Sequence, residues 1–234
     1  MTTIAGNIDR VRENIVLAKQ RAGRISDDIC LCAVTKYVSA DRIAEAVACG
    51  IDTVGENHAQ ELTQKLTFYK QNALHAHFIG QLQTNKVKYV CGNAEMIQSC
   101  DRVQLFKAVD TFAAKNGIVQ AVLIQINIGR ELQKGGVMPE NFDQLLDAAH
   151  DFPHILVRGI MCVPPALDKE SVRPFFRQIR KLYDEKISEG YSFDTLSMGM
   201  SQDYMTAIEE GATMIRVGSA IFGPRQIPGG TIHG

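Results

Sequence analysis

Short, predominantly apolar runs recur through this chain, with a stretch of helical character between each successive pair. A run with no polar face to give to water belongs in a parallel sheet covered on both sides. Such runs fall at 29–36, 53–56, 77–79, 96–100, 121–127, 155–163, 195–200 and 214–222. Between them lie helical segments, among them 39–50, one running to about Asn72, 85–90, one closed by Asn116-Gly117, one opened by Pro139 in its first turn, and 203–210. The longest carries Val172, Phe175, Phe176, Ile179, Leu182 and Ile187 on one face and ends at Gly190. Ser39 and Asp101 are predicted N-caps. A further helix precedes the first run, with Ile4, Ile8, Val11, Ile15, Ala18 and Ala22 on one stripe closed by Gly23. Eight strands alternating with helices predict an α/β fold, a single (β/α)8 TIM barrel with an extra N-terminal helix. A doubly wound open sheet is the competing arrangement. No linker, low-complexity run or shift in composition divides the chain, so residues 1–234 are predicted to form one domain.

Composition narrows the function by exclusion. A net charge of −1 gives no footing for nucleic acid or an anionic membrane surface. Charged residues within the first twenty leave no signal-peptide core, and no uncharged stretch approaches the ~20 residues of a membrane span. The six cysteines form no CxxC pair, and His75 and His77 have no ligand-spaced partner, so neither a disulfide framework nor a metal site is expected. These features predict a cytoplasmic protein with reduced, buried thiols.

The polar exceptions carry the chemistry. The run 214–223 reads as a doubly buried strand, yet it holds Arg216 in its middle, with Gly218 and Ser219 just after. A buried arginine is almost never left without a partner. Free amides beside a small hydroxyl are the equipment for gripping a phosphate. In a barrel of this class the chemistry sits at the C-terminal strand ends, with phosphate often held after strands seven and eight. Lys36 ends the first strand, Glu56 and Asn57 the second, and Ser201 follows the seventh. Lysine, arginine and phosphate donors therefore converge on one mouth. A lysine in a dry pocket has its pKa lowered, which frees the amine to attack a carbonyl. Asn57 and Ser201 also suit helix N-caps, Lys134 with Gly135 and Gly136 a solvated loop, and His77 a packed position within a strand.

On these residues the chain resembles the YggS/PROSC family of pyridoxal 5′-phosphate (PLP) homeostasis proteins, single-domain relatives of the alanine racemase barrel. The matching stretches are Ala33-Val-Thr-Lys36, Gly55-Glu-Asn57, His77-Phe-Ile-Gly80 with Leu82-Gln-Thr-Asn-Lys86, and Gln125-Ile-Asn127 with Lys134-Gly-Gly136. They continue in Arg158-Gly-Ile-Met161, Leu196-Ser-Met-Gly-Met-Ser201 and Ile215-Arg-Val-Gly-Ser-Ala-Ile-Phe-Gly223, covering nearly the whole chain in order. The resemblance implies a fold-type III PLP barrel. Lys36 would form the Schiff base with PLP and Arg216 would face the pyridine nitrogen. Ser201, Gly218 and Ser219 would hold the phosphate, and Asn57 would line the pocket near the ring. The chain departs from the family in the residues around Lys36, where Tyr37-Val38-Ser39 follows the lysine, and at Gln81 and Thr84.

Two functions of different class fit this set. One is a PLP carrier that holds the cofactor and releases it to acceptors such as PLP-dependent apoenzymes; the other is a PLP-dependent racemase or related enzyme. An arginine at the pyridine nitrogen makes a weaker electron sink than an acid would. Only residues 224–234 follow Gly223, which leaves no room for the C-terminal β-domain that gives alanine racemase its second base, and points to a monomer. Tyr37 and Tyr204 are the remaining candidates for that base. A class I aldolase would need a carboxylate or tyrosine beside the lysine, and Glu56 is the candidate carboxylate unless it pairs with a lysine of its own.

Overall fold

The structure, a computed structural model, describes residues 3–131 and 133–224. Eight parallel strands close into a barrel in sequence order: β1 (Cys30–Val34), β2 (Thr53–Glu56), β3 (His75–Phe78), β4 (Met96–Cys100), β5 (Gln120–Ile126), β6 (Ile155–Cys162), β7 (Thr195–Ser197) and β8 (Met214–Val217). β8 pairs with β1 to complete the ring, setting Arg216 opposite Cys32. The outer layer is α2 (Ala40–Ala48), α3 (Ala59–Gln71), α4 (Val87–Val90), α5 (Val103–Lys115), α6 (Phe142–Ala148), α7 (Lys169–Ser188) and α8 (Tyr204–Glu209). The additional helix α1 (Ile4–Arg21) precedes β1, and α9 (Ser219–Phe222) follows β8. The TIM barrel and its N-terminal helix are therefore as expected.

Continuous apolar strands do what the pattern requires. β2, β4 and β8 are buried at every residue. Phe106, Phe142, Phe176 and Leu62 fill the layer between strands and helices, each contributing roughly 1.5–3 kcal/mol by leaving water. β6 carries a bulge: Val122 pairs with Val157 but Leu123 pairs with Gly159, leaving Arg158 over. Arg158 turns outward, its Nε and Nη2 donating to Asp194 Oδ2 at 2.9 and 2.7 Å. The same fold in the strand brings Gly159 against β7, where a Cβ would stand 1.9 Å from the Thr195 carbonyl oxygen.

Three expectations are corrected. The run 214–222 is not one strand: β8 stops at Val217 and the last apolar residues form α9. The Gly218 amide leaves the strand direction for the Ser201 hydroxyl, and α9 lies on α1, where Asn7 Nδ2 donates to the Ile221 carbonyl at 2.9 Å. Asp101 does not cap α5; Arg102 holds the N-cap position, and Asp101 accepts from Arg102 and from the Gly136 amide instead. Pro139 opens a 3-10 turn, Pro139–Asn141, ahead of α6 rather than the helix itself. Ser39 stands at the N-cap of α2 without a side-chain capping bond. The expectation of no further domain rests on the C-terminal tail, of which residues 225–234 lie outside the described residues.

A polar chain crosses the apolar interior. Arg216 Nη1 donates to Ser197 Oγ at 2.6 Å, Ser197 Oγ to Gln98 Oε1 at 2.6 Å, and Gln98 Nε2 lies 2.9 Å from His77 Nδ1. An amide N–H donates at that distance, so the His77 Nδ1 accepts and the ring is neutral. Burial lowers the His77 pKa from near 6.5 to about 4.

Two tests follow from this core. Gly159→Ala is expected to cost at least about 2 kcal/mol, read from a urea midpoint, because a main-chain oxygen occupies the space a methyl needs. For His77, the unfolded chain binds a proton between pH 6.5 and about 4 that the native chain refuses, so stability falls as pH falls through that window. The native chain's thermal midpoint is expected to drop more steeply there than that of His77→Gln, with parallel curves above it. Equal slopes would contradict a neutral buried His77.

Candidate functional site at the C-terminal barrel mouth

Barrel closure brings the sequence-predicted residues together. Arg216 pairs with Cys32 and Val217 with Ala33, so the segments leaving β1 and β8 rise side by side. Lys36 lies in the first and Gly218 in the second, and a Cβ on Gly218 would meet Val34 Cβ at 3.3 Å. Lys36 is half-buried in a tight turn, closed by the Val38 amide on the Thr35 carbonyl at 3.0 Å.

Arg216 is 3% exposed. Besides Ser197, its Nη2 donates to the Cys162 carbonyl at 2.8 Å, so both partners are neutral. Burial lowers its pKa and pushes the neighbouring Cys162 thiol up to about 12, which keeps that sulfur protonated. A guanidinium buried among neutral acceptors favours a ligand that brings an acceptor or negative charge.

The phosphate-type donors gather on one hydroxyl. Gly218 and Ala220 amides donate to Ser201 Oγ at 3.1 and 3.3 Å. This answers the open reading of Ser201: it is not the cap of α8, a position held by Asp203, whose Oδ1 accepts the Met200 amide at 2.6 Å. Ser219 is exposed at the start of α9. Asn57 does not cap α3, because His58 occupies that position. Its Oδ1 is buried without a hydrogen-bond partner among the described residues. Gly80 pins the Asn57 backbone, since a Cβ there would stand 2.0 Å from the Asn57 carbonyl oxygen. Asn57 also lines a cleft of ≈ 570 Å³ with Phe78, Gln81, Lys86 and Tyr89.

The other candidates are tied into the fold. Glu56 is fully buried and pairs with Lys65 Nζ at 2.9 Å, the pairing with a lysine that the sequence left open. Tyr204 Oη accepts from Asn14 Nδ2 on α1 at 2.8 Å, and the Tyr37 ring turns onto His58 at 5.5 Å. Lys134 is not a free loop residue; its Nζ donates to the Pro164 carbonyl at 2.9 Å. Reading the sequence missed Ser197, which accepts from Arg216, and Gln98, which in turn holds Ser197. Their signal is being polar inside the largely apolar runs 195–200 and 96–100.

The alanine racemase N-terminal domain family matches residues 6–226. The pyridoxal phosphate homeostasis protein of Aquifex aeolicus (strain VF5) is 45% identical over 221 residues, covering 94% of this chain and 97% of that protein. The protein of the same name from Escherichia coli (strain K12) is 37% identical over 230 residues, covering 96% and 98%. The structure of PipY from Synechococcus elongatus PCC7942, with PLP bound, superposes with a TM-score of 0.81 at 29% identity, covering 94% of this chain and 100% of that one. Matched over nearly its whole length by the family and by relatives of similar extent, this chain belongs to the alanine racemase N-terminal domain family, beside the members named pyridoxal phosphate homeostasis proteins.

Proposed function

We propose that this chain is a PLP-binding protein of intracellular PLP homeostasis, a single cytoplasmic barrel domain that holds the cofactor covalently on Lys36 and yields it to acceptor amines or apoenzymes. The observation that carries the reading is the convergence of Lys36, buried Arg216 and the amides around Ser201 at the adjoining ends of β1, β7 and β8. The relatives named above and the PLP-bound PipY support it.

The residues fit the group. PLP supplies an aldehyde that condenses with a primary amine, on a ring whose nitrogen accepts a hydrogen bond. Lys36 brings the amine. Arg216 brings a donor that keeps its proton, already oriented by Ser197 and the Cys162 carbonyl. Ser201, Gly218 and Ser219 bring hydroxyls and amides for the phosphate, and the unpartnered Asn57 Oδ1 leaves an acceptor beside the ring. Of the two tyrosines that could serve as a second base among the described residues, Tyr204 is hydrogen-bonded to Asn14 of α1 and Tyr37 packs its ring on His58. That favours a carrier over a racemase. The aldolase reading loses its carboxylate to the Glu56–Lys65 pair. The same reading has the chain acting as a monomer.

The test is an absorbance spectrum of the purified protein with added PLP, before and after borohydride, followed by peptide mass mapping. A visible band that reduces to a phosphopyridoxyl group on Lys36 is expected. Lys36→Ala is expected to abolish that adduct while leaving weak, phosphate-anchored binding. Arg216→Ala is expected to shift the bound cofactor's spectrum, and an unchanged spectrum would remove Arg216 from the ring nitrogen. Adduct spread over surface lysines would overturn the site.

A further inference from the structure

Behind Lys36 lies a set of side chains with no part in the reading above. Glu61, Lys65 and Tyr69 follow one another at four-residue spacing, which lines them up along one face of α3. Each of them reaches the chain beside Lys36 or a group that holds it. Lys65 Nζ donates to the Thr35 carbonyl at 2.7 Å, and Glu61 Oε2 accepts the Tyr37 amide at 2.8 Å. The Thr35 hydroxyl donates to Glu56 Oε1 at 2.7 Å and lies 3.0 Å from the Tyr69 hydroxyl, which itself donates to Glu56 Oε1 at 2.5 Å. Lys65 closes the set by pairing with Glu56 at 2.9 Å and Glu61 at 3.1 Å.

The two main-chain contacts are the informative ones. The Thr35 carbonyl belongs to the peptide group before Lys36, and the Tyr37 amide to the one after it. Fixing both peptide planes fixes the two backbone dihedrals of Lys36, and with them the direction in which its side chain leaves the chain. Tyr37 sits at φ 61, a left-handed conformation that residues with a Cβ avoid and that persists only where the surroundings over-determine it. Glu61 grips the amide of that residue. Burial alone would raise the Glu61 pKa, but hydrogen bonds from the Tyr37 amide, Lys65 and His58 outweigh it and lower the value, so an ionised acceptor faces the amide.

We propose that Glu61 and Lys65 are positioning residues, a clamp on the two peptide groups flanking Lys36 that presents its amine at the barrel mouth for condensation with the PLP aldehyde. The proposal rests on the functional reading above. In the step it serves, the lysine nitrogen forms a C=N bond with the aldehyde carbon. The aldehyde oxygen leaves as water with two protons from the amine, and neither oxidant nor reductant is needed. Glu61 and Lys65 act through the backbone and touch no reacting atom.

The experiment uses the full chain. Native protein, Glu61→Ala, Glu61→Gln, Lys65→Met and Lys65→Arg are mixed with PLP, quenched with borohydride at timed intervals and mapped by peptide mass for adduct on Lys36. Hydrogen exchange of the Tyr37 amide is followed in parallel without PLP. Glu61→Ala and Lys65→Met are expected to trap Lys36 at least about tenfold more slowly, Lys65→Arg and Glu61→Gln to stay within about threefold of native, and the Tyr37 amide to exchange at least about tenfold faster in Glu61→Ala. Lys65→Met leaves Glu56 buried without its cation and can fail to fold; in that case Glu61→Ala, at the rim of the set, decides. A folded Glu61→Ala with native trapping, or with unchanged Tyr37 exchange, overturns the clamp. Failure of native protein to trap PLP on Lys36 overturns the functional reading and the clamp's purpose with it, while the Tyr37 exchange still reports whether the clamp exists.

Discussion

A guanidinium held inside a barrel by neutral oxygens is an uneven bargain on its own. Taking such a charge out of water costs several kcal/mol unless its donors are met, and Arg216 meets one hydroxyl and one carbonyl. Its position is nonetheless unambiguous, because the strand that carries it is pinned in register against β1 and its hydroxyl partner is itself held by Gln98. The interior is thus built around a cation before any ligand arrives. A carboxylate in its place would confront the Cys162 carbonyl, an acceptor facing an acceptor. The polar chain through Ser197, Gln98 and a neutral His77 therefore commits this end of the barrel to offering a donor.

The register that buries Arg216 also decides what stands above it. Because β8 closes on β1, the segments after both strands become neighbours though 180 residues apart, and Gly218 packs over Val34. The lack of a side chain at Gly218 allows that approach and leaves its amide free to turn to Ser201. Closure, and the nearness of the phosphate-type donors to the segment that carries Lys36, are consequences of one pairing.

The barrel was legible because all eight strands had to be apolar at most positions, and few other folds need that pattern. Lys36, Arg216 and Ser201 stood out as polar residues at the ends or in the middle of such runs. The end of β8 was not legible. Ala220-Ile221-Phe222 is as apolar as the strand before it, and only contacts distant in sequence turn it into α9: Ser201 drawing the Gly218 and Ala220 amides, and Asn7 of α1 taking the Ile221 carbonyl. Asp101 has the chemistry of a cap, but the Gly136 amide and Arg102 claim it. Glu61 and Lys65 were not singled out from the sequence, which shows side chains and hides the main-chain groups they reach.

Placing the lysine beyond the strand rather than within it has a consequence for how it is held. A residue in a strand has its direction set by the pleat, whereas one in a turn is free unless something else holds it. Here the holding groups come from α3, one helix out from the barrel, and reach past the side chain to the backbone. Such an arrangement fixes where the Lys36 side chain leaves the backbone. The same helix also serves the fold, since Tyr69 of α3 and Thr35 both bury their hydroxyls against Glu56 Oε1 at the end of β2.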